Sequence, residues 1–352
     1  VAAARPLKDG PIRTASATGA ALFPADSASA ASLPVSWDWR HQPELSQPGD
    51  DLADDFDQGQ CGSCYAFSGI LAMSMRFRIA LAKQNNKPTG LDLSWRASVR
   101  CSPYTEGCNG GFPYLVGRHA LELGAYQKTT TLGSPPMCNA DAEVEQVGAA
   151  CSATCMRPNP SAQPVFFAAD YGYVGGFAQG ASEVAIMQEL YNHGPISIEL
   201  SVRAIPMLMN GNSGEVITHH DNSRPPNDDV PNHAASVRLR NATHSGGQEV
   251  DFGEWLWVDH ALLAVGWGEV GEAAPGASSK TEIILGTPIQ LGLLQQRQAP
   301  GRVGYWTIRN SWGRTWGDGG YGKLVRGHNA GGIEMSAVWI SPDMTRLPAV
   351  IP

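Results

Sequence analysis

The sequence predicts an α+β fold in which helices dominate the first part and strands the last. Good helix formers run almost unbroken through residues 63–83, and a second, amphipathic helix is expected at Glu183–His193, where Gly194-Pro195 would stop it. Strand-like segments follow at 196–202, 255–268 and 305–313, where apolar residues alternate with polar ones or form short continuous runs.

Composition limits the classes of protein that fit this chain. It has 352 residues, of which 42% are hydrophobic and 16% charged, enough for a large core and one or two domains. The net charge of −8 and the pI of about 5.6 argue against a nucleic-acid partner. We find no apolar run of roughly 18 residues, so the sequence predicts no membrane span.

The polar segments suggest how the chain is divided. Residues 1–32 are rich in Ala, Ser and Pro and are expected to be a linker or the tail of a propeptide. The chain starts at Val1 with no signal-like segment, so any targeting segment is expected to have been removed or left out. We expect one main domain at 33–340, two long surface insertions at about 209–253 and 269–302, and a C-terminal tail at 341–352.

The seven cysteines are an odd number. Three disulfides and one free thiol would suit an oxidising, secretory-route compartment. The triplet that begins at Asn241 is a glycosylation acceptor and agrees with that route, although such triplets also arise by chance.

The segment QGQCGSCYAF at residues 58–67 places Cys64 at the predicted start of the long helix. A helix start favours negative charge, so this position is expected to lower the pKa of the thiol and make Cys64 a nucleophile. The alternative is a disulfide half or a small buried residue. Gln58 could aim its side-chain amide at the same point, where it and a backbone N–H would form an oxyanion hole.

Two later segments supply the partners that a thiol nucleophile needs. His260 begins an apolar strand and can act as the base, and Asn310 can orient its imidazole while Trp312 covers that hydrogen bond from water. His233 is a rival base, but the charged residues after it make a buried strand there improbable. This chemistry requires no catalytic metal and no organic cofactor.

These segments resemble the papain-like cysteine peptidases. Four motifs agree in order, at 33–40, 58–65, 259–268 and 310–313, and the second contains the C-G-[SA]-C-[WY] signature of that family. The resemblance implies a papain-like two-lobed fold with the active-site cleft between the lobes. The helical lobe would carry Cys64, and an antiparallel β-barrel-like lobe would carry His260 and Asn310.

Within this family the chain is most similar to the cathepsin C (dipeptidyl peptidase I) group. The matching segments are LPVSWDWR at 33–40, GGFPYL at 110–115 and YVGGF at 173–177, together with Tyr65. The resemblance implies removal of dipeptides through a thioester, an activation segment at 1–32 and an acidic compartment such as a lysosome or vacuole. The implied substrate-binding residues are Gly110, Gly111, Phe112, Pro113, Tyr114 and Tyr173.

The same resemblance implies a chloride ion bound by Phe112, Tyr114 and Tyr173. The alternative is that the two tyrosines simply form part of the pocket wall. It also implies three disulfides, Cys61–Cys108, Cys101–Cys151 and Cys138–Cys155. From the residues alone, Gly110 and Gly111 either let a substrate backbone approach closely or form a simple turn.

Two departures from the family pattern leave alternatives open. His260 and Asn310 lie 196 and 246 positions after Cys64, further than the roughly 130–150 typical of the family, and the two insertions account for the excess. The exclusion domain of the cathepsin C group has no counterpart here, so it would be a separate chain, an upstream segment or lost. The alternatives are a papain-like endopeptidase and a catalytically silent scaffold or assembly subunit. The oligomeric state is left open, with a homo-oligomer as one expectation.

Overall fold

The computed structural model describes residues 33–45, 57–86, 91–127, 164–176, 180–202, 208, 216–217, 258–271 and 302–348. Within these ranges four α-helices form, and the two predicted helices are among them. Ser94 and Ser182 cap the second and fourth helices by accepting hydrogen bonds from Ala97 N and Ala185 N, both at 3.3 Å. The helices are α1 Cys64–Lys83, α2 Trp95–Cys101, α3 Pro113–Glu122 and α4 Glu183–His193.

Helix α1 is the core helix of the N-terminal part. It is buried at 17 of its 20 positions, which is the pattern of a helix surrounded by protein on every side. By length and composition alone it could cross a membrane, a feature that the sequence-based search for an unbroken apolar run did not register. In the structure, however, 89% of that apolar window is buried inside the protein.

An eight-stranded sheet forms the second part, with the order β4-β10-β5-β7-β8-β9-β6, and β1 also pairs with β7. All of these pairings are antiparallel except the one between β6 and β9. A separate two-stranded sheet joins β2 and β3. The strands are β1 Trp37–Asp38, β2 Ala125–Tyr126, β3 Val165–Phe166, β4 Ala168–Tyr173, β5 Ile196–Leu200, β6 Val216–Ile217, β7 His260–Gly271, β8 Arg302–Arg309, β9 Tyr321–Val325 and β10 Ser336–Pro342.

Strand β7 separates two hydrophobic cores. Leu263 and Val265 join the core built around α1, whereas Leu262 and Ala264 join the core on the other side of the sheet. Successive side chains of a strand point to opposite faces, so a strand buried on both faces needs apolar residues at every position. The continuous apolar run in this segment therefore follows from its place between the two cores.

Strand β5 differs from the half-buried strand that its alternating sequence predicted. All five of its residues are buried, including Ser197 and Glu199. The polar positions do not face solvent, because Ser197 Oγ lies 2.6 Å from Ser68 Oγ of α1. The polar face of β5 is thus directed toward the helical part.

Three predicted boundaries also differ. Residues 269–271 pair with 302–304, so the second insertion can only lie within 272–301, and Val216–Ile217 of the first predicted insertion pairs with β9. At the C-terminus, β10 continues to Pro342, and Met344 and Leu347 pack against the α1 core. The predicted tail at 341–352 is therefore part of the fold as far as residue 348. Residues 1–32 lie outside the described residues.

A buried ion pair joins α1 to α4. Arg76 Nη2 lies 2.7 Å from Glu189 Oε1 of α4, and Arg76 Nε donates to the Pro195 carbonyl at 2.8 Å. Burial alone would raise the pKa of Glu189, but the neighbouring Arg76 and His193 lower it to about 2. The carboxylate is therefore charged in the folded protein at any pH well above 2.

We expect Glu189→Gln to lower the free energy of unfolding by about 3–5 kcal/mol at pH 7, because it leaves Arg76 buried without its counter-charge. The pKa of Glu189 is depressed on folding, so this stabilisation is full above about pH 5 and is lost as the pH falls toward 2. Urea unfolding at several pH values measures both effects. Glu122→Gln is the matched control, since its half-exposed pair with Arg118 should contribute only about 0–1 kcal/mol. Equal losses in the two variants would contradict the prediction.

Candidate active site

A cavity of about 670 Å³ lies where the helical part meets the sheet. One side is formed by the turn before α1, the first residues of α1 and the loop before α3. The other side is formed by the ends of β5 and β7 and by the turn after β8. Its lining includes Gln58, Cys64, Gly110, Gly111, Phe112, Glu199, Asp259, His260, Ala261 and Trp312.

Cys64 is the first residue of α1 and has a free thiol that is partly accessible from the cavity. The turn before it is held by the Cys61–Cys108 disulfide, which is one of the three predicted bridges, and by the Gly62 N–H, which donates to the Cys108 carbonyl at 2.9 Å. A Cβ on Gly62 would lie 2.7 Å from that carbonyl oxygen, so only glycine fits there. These contacts fix the direction in which α1 starts.

His260 is the first residue of β7 and is buried beside Asn310. Its Nε2 lies 2.9 Å from Asn310 Oδ1, which also accepts the Ser311 N–H at 2.8 Å. Because that oxygen is an acceptor, Nε2 carries the proton of the neutral imidazole and Nδ1 has the free lone pair. The Trp312 ring stacks on the imidazole with the centroids 4.7 Å apart and helps to cover this hydrogen bond.

The titration of Cys64 differs from the sequence-based expectation. Burial raises the pKa of the thiol above its ordinary value, and the N–H groups of Ala261 and Tyr65, which donate to the sulfur, only partly offset this. The predicted lowering by the helix start was therefore wrong. Burial also lowers the pKa of His260 to about 4, against the smaller opposite effect of the Asn310 hydrogen bond.

Burial thus disfavours an isolated charge on either member of this pair. Moving the proton from the sulfur to the free Nδ1 would create a thiolate beside an imidazolium and leave the net charge of the site unchanged. Such an internal transfer avoids placing a single unpaired charge in the buried site. The arrangement can therefore generate a nucleophile together with the acid that a leaving group later needs.

Gln58 lies at the cavity, and its amide is fixed at both ends. The Ser311 hydroxyl donates to Gln58 Oε1, and Nε2 donates to the Cys61 carbonyl at 2.9 Å. A primary amide nitrogen has two N–H groups, and one of them is used in the contact with Cys61. The second N–H can donate to an oxyanion. Ser311 was not singled out from the sequence; its position directly after Asn310 was the only signal.

The predicted substrate-binding residues fall into two groups. Gly110, Gly111 and Phe112 line the cavity, and Gly110 has a φ of +121°, which favours glycine. A Cβ on Gly111 would lie 2.8 Å from the Tyr65 ring. Pro113, Tyr114 and Tyr173 are not part of the lining. Pro113 is the first residue of α3, and the rings of Tyr114 and Tyr173 stack behind it with their centroids 4.8 Å apart.

The expected chloride site does not fit its surroundings well. Burial raises the pKa of Tyr173, and the negative charge of nearby Glu199 raises it further. An ionised Glu199 would therefore repel an anion at the Tyr173 hydroxyl. An ionised Glu199 beside Tyr173 thus argues against chloride at this position, and the chloride site stays a prediction from the resemblance.

Several predicted residues lie outside the described part of the chain. They are the glycosylation acceptor Asn241, the rival base His233, and Cys138, Cys151 and Cys155. Cys101 is disulfide-bonded, but its partner lies outside the described residues. The predicted pairs Cys101–Cys151 and Cys138–Cys155 therefore remain predictions.

Comparison with known proteins identifies the family. A family model described as papain family cysteine protease matches residues 33–236 and 243–341. The chain belongs to the papain family of cysteine proteases. The digestive procathepsin L 3 of the Tenebrio molitor larval midgut has the same fold, with a TM-score of 0.52, 19% identity and coverage of 88% of this chain and 70% of that one. The fold is thus the expected two-lobed papain-like one.

Two curated relatives are more similar in sequence. Cathepsin C of Schistosoma mansoni is 27% identical over 311 residues, which are 88% of this chain and 52% of the relative. Dipeptidyl aminopeptidase 1 of Plasmodium falciparum is 28% identical over 331 residues, which are 81% of this chain and 41% of the relative. The chain therefore spans about half the length of these relatives.

We expect kcat/KM to fall as the pH drops through about 4, because protonated His260 cannot accept the thiol proton. Asn310→Ala removes the contact that raises the pKa of His260, so this acid limb should move to lower pH. The rate should also fall by roughly 10- to 100-fold, the value of one well-placed hydrogen bond to a charged group.

A pH series of kcat/KM for the wild type and the variant tests both expectations. Asn109→Ala, at an exposed asparagine on the rim of the same cavity, is the matched control and should leave the limb unmoved. An acid limb in Asn310→Ala that stays in place or moves upward would refute the role of Asn310.

Proposed function

We propose that this papain-family cysteine protease removes dipeptides from the N-termini of peptides and proteins. The observation that carries the peptidase chemistry is the meeting of Cys64, His260 and Gln58 in one cavity, with Asn310 fixing the tautomer of His260. The dipeptide specificity is supported by the similarity to relatives named Cathepsin C and Dipeptidyl aminopeptidase 1.

The reaction follows from this geometry in two halves. His260 Nδ1 takes the thiol proton while the Cys64 sulfur adds to the scissile carbonyl, and Gln58 Nε2 with the Cys64 N–H binds the oxyanion. The imidazolium then gives its proton to the leaving amine, the C–N bond breaks and a thioester remains. In the second half, His260 takes a proton from water, the hydroxide oxygen attacks the thioester, and the proton returns to the sulfur as the dipeptide leaves.

Dipeptide removal also requires a part of the protein that blocks the cleft beyond the second substrate residue. We propose that an exclusion-domain chain or an upstream segment does this. The two relatives are about twice as long as the aligned region, which leaves room for such a part. Residues 1–32 would belong to the activation segment of a zymogen, and homo-oligomer formation stays a prediction.

The location and the chloride ion are also proposals. The Cys61–Cys108 disulfide and disulfide-bonded Cys101 support an oxidising secretory route, ending in a lysosome, a vacuole or outside the cell. Chloride binding by Phe112, Tyr114 and Tyr173 stays a prediction from the resemblance, and no step of the reaction passes through it.

A dipeptide-removing enzyme should cleave a free-amine peptide two residues at a time and ignore the same peptide with an acetylated N-terminus, because its cleft is closed beyond the second residue. Mass spectrometry of the products over time measures this. Cleavage inside the acetylated peptide would support the endopeptidase alternative and overturn the proposed specificity.

The silent-scaffold alternative has its own test. We expect a peptidyl electrophile to label Cys64 rapidly and the rate of labelling to fall at least 100-fold in His260→Ala, because the thiol then lacks its proton acceptor. His41→Ala is the matched control, since His41 is exposed and lies outside the cavity lining. Labelling that is equally slow in the wild type and His260→Ala would favour the scaffold.

A further inference from the structure

The mechanism above leaves one buried acid of the cavity without a role. Glu199 lies in β5, only 5% of its surface is exposed, and it belongs to the cavity lining together with Cys64. Its neighbours Ile198 and Leu200 face the core on the far side of the sheet, so the carboxylate points the other way, toward the helical part and the cavity.

The register of the sheet fixes Glu199 close to the reacting groups. It is paired with Ala261 of β7, which follows His260 in the chain. The Ala261 N–H donates to the Cys64 sulfur. On its other side Glu199 is paired with Ser336 of β10, whose hydroxyl donates to Glu199 Oε2. A carboxylate in this position lies within electrostatic reach of any substrate bound over Cys64.

The described part of the chain offers Glu199 no positive partner. The Ser336 hydroxyl is its hydrogen-bond donor, and none of the ion pairs among the described residues includes it. Burial raises the pKa of Glu199 to about 7, which Ser336 only partly opposes. A buried carboxylate normally has a counter-charge or several hydrogen-bond donors. Among the described residues Glu199 has neither, so a bound molecule could supply the missing positive charge.

While it is ionised and unpaired, Glu199 also opposes the chemistry. After burial itself, negative charge from Glu199 is among the factors that raise the pKa of Cys64. A cation placed beside Glu199 would cancel that repulsion and favour the thiolate. Binding of a suitable substrate would thus remove an obstacle that the empty site contains.

We propose that Glu199 is a specificity-determining residue of this cleft and that its carboxylate binds a cationic group of the substrate beside Cys64. The cation has two sources in a peptide, the α-ammonium of the N-terminal residue or the side chain of a lysine or arginine at one of the two residues before the scissile bond. The proposal rests on the peptidase function proposed above and names the class of substrate that it prefers.

The test measures binding without turnover, so that it does not depend on dipeptide removal. The full chain carrying Cys64→Ala is titrated calorimetrically with norleucyl-norleucine amide, its N-acetylated form, and forms with arginine or citrulline in the first or second position. We expect roughly 10- to 100-fold tighter binding for one cationic form than for its neutral counterpart. Adding Glu199→Gln should abolish that ratio.

The pattern of ratios identifies the source of the cation. A side-chain site gives an arginine-to-citrulline preference at one position, whereas an α-ammonium site gives a free-to-acetylated preference for every ligand. Glu106→Gln is the matched control, because it removes an exposed carboxylate from the rim of the same cavity and should keep the ratio. Glu199→Met, of similar volume and with no hydrogen-bonding demand, replaces Glu199→Gln if that variant does not fold.

Each result decides one claim. Ratios near one in the Cys64→Ala protein, or ratios unchanged by Glu199→Gln, overturn the assignment of Glu199 even if the wild type removes dipeptides. A ratio that disappears with Glu199 supports the assignment even if the wild type cuts inside acetylated peptides, which would overturn only the proposed dipeptide specificity.

Discussion

The active site depends on the packing of α1 against the face of the central sheet. Ser68 meets Ser197 one turn after Cys64, and Arg76 holds Glu189 and the Pro195 carbonyl two turns further on. These contacts hold the axis of α1 against β5. The start of the helix then lies opposite the start of β7, so that His260, Ala261 and Cys64 line the same cavity.

The same packing disfavours an isolated charge on either member of the Cys64–His260 pair. Two cores meet at β7, so the first residues of both α1 and β7 are largely removed from water. Low polarity disfavours a single charge on either group, and the pKa values of Cys64 and His260 move in the directions that keep both uncharged. Proton transfer between the two groups therefore costs less free energy than proton exchange of either group with solvent, because it creates a pair of opposite charges and not a lone charge. The site therefore depends on the exact distance between two lobes, which is what the buried contacts fix.

Sequence patterns predicted the parts of this structure that local rules determine. The extent of α1, the end of α4 at Gly194-Pro195 and the strand nature of 260–268 follow from helix formers, a helix stop and a continuous apolar run. Residue chemistry proposed Cys64, His260 and Asn310 as a set, and the resemblance of their motifs to a known family favoured that set over its alternatives. Nothing local to His260 separates it from a buried structural histidine.

What the sequence could not supply was the environment on the second face of each strand. The alternation in β5 predicted solvent on its polar side, but that side meets α1 and the cavity, which only the tertiary arrangement determines. The pKa of Cys64 was predicted wrongly for the same reason, because the helix start was visible in sequence and the burial was not. The bounds of the second insertion were also hidden, since residues 269–271 become a strand only by pairing with residues 302–304.

The buried acids of this chain show why position, and not a shifted pKa, identifies a functional carboxylate. Burial raises the pKa of Glu334 to about 7, as it does for Glu199, and nearby Glu183 adds to the effect. Yet Glu334 accepts hydrogen bonds from the N–H groups of Gly327, Asn329 and Trp306. These contacts give Glu334 a structural role, because they hold the surrounding loop in place. Glu189 is explained equally well by Arg76.

Glu199 has no comparable explanation within the described residues. One hydroxyl satisfies part of its carboxylate, and the rest faces the cavity in which a peptide must lie. A leucine or alanine at this place would extend the apolar wall of β5 and would spare the neighbouring thiol a negative charge. An ionised acid here makes the empty site worse at forming a thiolate, which places its benefit in the occupied site. A cation on the substrate would neutralise the carboxylate of Glu199 and form a favourable ionic contact with it.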